Sequence, residues 1–132
     1  MAQKDPDHWL YRLDAGEWLH AARRELGASA GALELHEQKR AVAHARRAAG
    51  MALNALLVDR VRAEWGRSYM EHLQALPRDS EVPAEVREAA FELVSSPLNA
   101  PRLIQLGGSA DLSVAQAAAT ILQWCEECLA RS

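Results

Sequence analysis

Apolar residues recur along this chain at helical rather than alternating spacing. Ala15, Trp18, Leu19, Ala22 and Leu26 fall three or four residues apart, with Arg12, Glu17, Arg24 and Glu25 elsewhere. That is the pattern of an amphipathic helix burying one stripe. Asp5 suits its cap and Pro6 its first position, since proline's fixed φ and missing N–H are harmless in the first turn. Gly27 and Gly31, flanking Ser29, predict its end. A long second helix is expected from about Ala32 to Glu64, with Val42, Ala45, Ala49, Ala52, Leu53 and Leu56 facing inward. Its many alanines let neighbours approach closely, which suits a central place in a bundle.

Gly66 marks a boundary, and a short third helix is expected from Ser68 to Leu76, stopped by Pro77. Residues 78–82 read as a loop. Pro83 opens a fourth helix whose expected inner face is Val86, Ala90, Phe91 and Val94, and Ser95-Ser96-Pro97 ends it. Pro101 and Gly107-Gly108 predict mostly irregular chain over 97–112. Asp111 or Ser113 can cap a last helix that turns Val114, Ala118, Ile121, Leu122, Cys125 and Leu129 inward. The expected fold is all-α, an up-and-down bundle of four to five helices. A chain of 132 residues is one domain's worth, so residues 1–132 are expected to form one bundle.

Composition agrees. Ala and Leu supply 44 residues, while Val, Ile and Thr together supply 10; strands want β-branched side chains and helices favour the former pair. The opening residues are polar and lack the apolar stretch of a signal peptide. No uncharged run reaches the roughly 20 apolar residues of a membrane span. A cytoplasmic location and no membrane contact are therefore expected, with Cys125 and Cys128 as reduced thiols.

The net charge of −3 is unevenly spread. Residues 1–38 carry −3, residues 39–67 carry +5 and residues 68–132 carry −5. A general nucleic-acid coat would be basic throughout, so non-specific duplex binding is disfavoured. A local anionic ligand along the middle segment is compatible with the numbers. There His36, Arg40, His44 and Arg47 lie within about 80° of one another around an ideal helix, with Asn54 extending the stripe. Such a face suits phosphates, and equally suits plain solvation.

Three other features invite chemistry. Cys125-Glu-Glu-Cys128 has CxxC spacing. It lacks the second ligand pair a metal needs and the strand-to-helix setting of redox motifs, so two thiols acting as small apolar residues are expected. No metal and no cofactor is anticipated. Trp9, Trp18, Trp65 and Trp124 read as packing residues. Arg67 and His72 enclose four residues, an arrangement compatible with metal-free RNA cleavage. A histidine titrating near neutrality can move the proton, and an arginine can stabilise charge on the phosphate. The plain alternative is an Arg67–Glu71 ion pair. Inside a helix the two candidates lie about 140° apart, so they converge only if Arg67 sits at the helix entrance or a second subunit completes the site.

The order of segments resembles the HEPN domain family. HWLYRLDAGEWLHAARREL is similar to that family's first helix, HARRAAGMALNALL to its alanine-rich second helix, GRSYMEHLQAL to the segment that follows and VAQAAATILQWCEECL to the closing helix. The resemblance implies a bundle that forms a homodimer. It implies either nucleotide or RNA binding, or service to a partner such as a minimal nucleotidyltransferase or an antitoxin. In many members it also implies metal-independent endoribonuclease activity of a toxin-like kind. On that resemblance Arg67 and His72 would be catalytic, with Arg40, His44, Arg47 and Ser68 holding RNA or nucleotide. Departures from the pattern are Ser68 after the arginine, Gly50 and Asn54 in the second helix, and SPLNAPRLIQLGG before the last helix. A purely structural interaction bundle is the remaining expectation.

Overall fold

The computed structural model describes residues 13–59, 65–66, 68–95 and 110–131. Among them are five α-helices and no strand: α1 Ala15–Glu34, α2 Gln38–Asp59, α3 Tyr69–Ala75, α4 Ala84–Ser95 and α5 Ala110–Ala130, with a 3₁₀ turn at Leu76–Arg78 after α3. The protein is an all-α helical bundle. Helix α2 touches all four others. Its inward stripe, Val42, Ala45, Ala49, Ala52, Leu53 and Leu56, is fully or almost fully buried, as its spacing implied. Among the described residues no helix is long and apolar enough to cross a membrane.

Helix α1 is capped by Asp14. The Glu17 N–H donates to Asp14 Oδ1 at 2.7 Å and the Asp14 N–H to Glu17 Oε1 at 2.9 Å. This reciprocal box satisfies two otherwise orphaned donors. The expected start at Asp5 and Pro6 lies outside the described residues. The expected end at Gly27 and Gly31 is corrected, because the helix runs through both glycines to Glu34. Ser29 shows why: it is fully buried, and its hydroxyl donates to the Ala41 carbonyl at 2.7 Å. Packing of this turn on α2 outweighs the roughly 1 kcal/mol a mid-helix glycine costs.

The break comes at His36 instead, whose φ is +59°. The Glu37 N–H donates to the Ala32 carbonyl at 2.9 Å and the His36 N–H to the Leu33 carbonyl at 3.0 Å. These are the two bonds of a Schellman ending, which places its left-handed residue just after the cap. Glycine usually fills that position, and a histidine there gave the sequence no stop signal. Helix α2 accordingly starts at Gln38, not Ala32.

Helix α3 matches its expectation, α5 starts at Ala110, ahead of the expected caps Asp111 and Ser113, and on α4 one residue moves. Helix α3 begins after Ser68, whose hydroxyl accepts from the Glu71 N–H at 3.2 Å. On α5, Val114, Ala118, Ile121, Leu122 and Cys125 are buried as expected, while Leu129 is half-buried. On α4 the inner face is Val86, Ala89, Ala90 and Leu93. Phe91, expected inside, is 63 % exposed; it follows Ala90 by 100° around the helix, and the small alanines leave the core stripe narrow.

Candidate functional site

The segment entering α3 carries two of the described candidate residues, Ser68 and His72. Gly66 has φ +76°, and a Cβ there would lie 2.5 Å from Glu71 Oε2 and 2.6 Å from Glu71 Cβ. Only glycine fits both the left-handed backbone and that approach. Trp65, before it, is 1 % exposed, and its indole N–H donates to Asp79 Oδ2 at 3.0 Å. Its ring meets Trp124 of α5 at 6.4 Å between centroids with a 45° tilt. The pair fastens this segment to α5.

His72 lies one turn into α3 and is 2 % exposed. Its Nδ1 is 2.8 Å from the Trp65 carbonyl oxygen. A carbonyl only accepts, so Nδ1 carries the proton and donates. The ring thus ties the start of α3 to the chain seven residues earlier. Ser68 is used as the cap: its hydroxyl is 3.2 Å from both the Glu71 N–H and Glu71 Oε1. Arg67 lies outside the described residues. A hollow of about 210 Å³ beside this segment is lined by Trp65, Ala75, Arg78 and Asp79, small against the roughly 300–1,000 Å³ of ligand pockets.

The basic stripe on α2 is met largely by carboxylates. Arg40 reaches Glu37 at 2.8 Å, His44 Nδ1 is 2.5 Å from Glu25 Oε2, and Arg47 is 3.4 Å from Glu25 Oε1. Glu25 comes from α1, so His44 and Arg47 converge on one carboxylate between the helices. Burial pulls the Glu25 carboxyl upward, but the His44 hydrogen bond and the Arg47 charge together outweigh it and hold it below its ordinary range. His36, expected on this stripe, belongs to the turn before α2. Asn54 is 2 % exposed, and its Oδ1 has no hydrogen-bond partner among the described residues.

Arg46, outside the expected basic stripe, ties α2 to α4. Its guanidinium donates to the carbonyls of Leu93 at 2.8 Å and Val94 at 3.3 Å, satisfying the end of α4. Sequence spacing gave no signal for a contact across 47 residues. Cys125 is fully buried, and burial pushes its thiol well above the ordinary range. Cys128 is half-buried against the core. Among the described residues no group of three or more His, Cys, Asp or Glu side chains could hold a metal.

The structure therefore brings together His44 and Arg47 through Glu25, and Ser68 with the α3 entrance that His72 fastens. It gives Arg40 a separate partner. No family model matches this chain, nor does any curated protein or solved structure.

Proposed function

We propose that this chain is a non-catalytic, HEPN-like binding bundle that pairs with itself and serves a protein partner of the nucleotidyltransferase or antitoxin kind. One observation carries the choice against catalysis. His72 is 2 % exposed with Nδ1 committed to a backbone carbonyl. A general acid or base must come within hydrogen-bond reach of the proton it moves, and this ring is enclosed by its own fold. The outer surface supports a protein partner: Phe91 is 63 % exposed between two hollows of about 570 and 370 Å³.

The alternative ligand is RNA or a nucleotide along Arg40, His44, Arg47 and Ser68. Its phosphates would compete with Glu37 and Glu25 for the cations those carboxylates already engage, which favours the protein partner. A cleavage assay separates binding from catalysis. Varied RNAs incubated with the protein in EDTA should stay intact. Cleavage that leaves cyclic-phosphate ends and disappears in His72→Ala would sink the proposal in favour of the endoribonuclease with Arg67 and His72 as its pair.

A further inference from the structure

We infer that two copies of this chain pair antiparallel through the outer face of α1, crossing where Gly27 and Gly31 meet. This names the surface of the homodimer in the reading above and rests on that part of it. The face is laid out by spacing. His20, Arg24, Gly27, Gly31 and Glu34 recur at intervals of four, three, four and three, one straight seam of the kind that packs against another helix. All are exposed except the half-buried Gly31.

Among the described residues nothing packs on the two glycines of this seam. A Cβ at Gly27 or Gly31 would meet nothing within 4 Å, so neither glycine is required by the fold around it, and each weakens the helix relative to alanine. Leu35, at the end of the same face, is 68 % exposed, the most exposed large apolar residue described. Arg24 and Glu34 make no ion pair among the described residues.

A second copy accounts for all of these together. With a two-fold axis passing at the level of Ser29, each Gly27 shares a layer with the partner's Gly31, so the backbones can close to short range. Each Arg24 then shares a layer with the partner's Glu34, once on either side of the axis. Beside the seam, exposed Ala28 and Ala30 each face their own copies, and Ala21 faces the partner's Leu35. No like charges meet in the seam. The parallel arrangement would set Arg24 against Arg24 and Glu34 against Glu34, so the charges select the antiparallel one. A 20-residue helix is about 30 Å long. One such pair buries less than the roughly 1,600 Å² of a standard interface, so association in the micromolar range is expected.

Sedimentation velocity of the full chain from about 5 to about 300 µM tests this, with circular dichroism confirming that each variant stays helical. Wild type should show concentration-dependent dimer. Arg24→Glu and Glu34→Arg should each weaken it about tenfold, because two layers per dimer change from opposite to like charge. The double variant Arg24→Glu/Glu34→Arg should restore it. A wild type that stays monomeric overturns both this surface and the homodimer reading. A dimer unmoved by either reversal, or weakened by each and not restored by the pair, overturns this surface and leaves a dimer through another face.

Discussion

The same substitution should have opposite effects at two glycines of this protein. A Cβ added to Gly50 would lie 2.1 Å from Tyr69 Cβ and 2.7 Å from its Cγ. Non-bonded carbons settle at about 3.5–4 Å, so α2 and α3 would have to separate by about 1.5 Å. A Cβ cannot rotate away, and Gly50 is buried in the helix that touches all others. Alanine gains about 1 kcal/mol of helix propensity, whereas overpacking at the upper end of its range costs about 3 kcal/mol. Gly50→Ala should therefore lose about 2 kcal/mol net. For a chain of this length the melting temperature should fall by roughly 6–10 °C. Gly27→Ala should gain about 0.5–1 kcal/mol, measured in dilute protein so that self-association through α1 does not enter. Urea unfolding followed by circular dichroism reads both. Because the clash is with Tyr69 Cβ, a Tyr69→Gly background should absorb most of the Gly50→Ala penalty, and a Tyr69→Ala background should not. Gly50→Ala protein as stable as wild type would refute the close packing of α2 on α3.

Three further outcomes follow from other contacts. Glu25, held below its ordinary range by His44 and Arg47, contributes stability above its unfolded value and loses it as pH falls through the lower folded one. Glu25→Gln should therefore cost about 1 kcal/mol at pH 7 and almost nothing once pH is well below that window, as read by urea unfolding at both pH values. His36→Gly should stabilise the chain by about 1 kcal/mol, because the left-handed link after α1 suits glycine; equal or lower stability would contradict the Schellman ending. Cys128 should react with a thiol reagent in the native state well before Cys125, whose buried thiol is held neutral, and equal rates would place Cys125 at the surface.

Helix periodicity was legible wherever one face carries a wide apolar stripe. On α2 six alanine, valine and leucine positions sit at one register, and all six are buried. Phe91 was misplaced because on α4 hydrophobicity does not discriminate. Its inner face uses Ala89 and Ala90, so the largest side chain is not the innermost. The first helix boundary was misread because local glycine preference lost to the Ser29–Ala41 bond, while the true ending uses a histidine in a glycine's place.

Gly66 and the third helix were legible because turn chemistry is local, whereas Ser68, expected as that helix's first residue and as a holder of RNA or nucleotide, serves as its cap. The candidate site was legible as a set of residue types but not as an arrangement. Nothing in spacing reveals that Glu25 of another helix lies between His44 and Arg47, or that Arg46 reaches the end of α4. Whether His72 faces solvent or core likewise depends on where Trp65 packs, and that contact is with Trp124, far along the chain.

The proposed function rests on His72 lying inside the bundle as a fastening rather than meeting a substrate. Diethyl pyrocarbonate labelling of the native protein, mapped by mass spectrometry, measures this directly. His20 and His36 are exposed and should label readily, while His72 should remain protected until denaturant unfolds the chain. Native labelling of His72 at a rate close to that of His36 would contradict the enclosed ring and return it to the list of catalytic candidates.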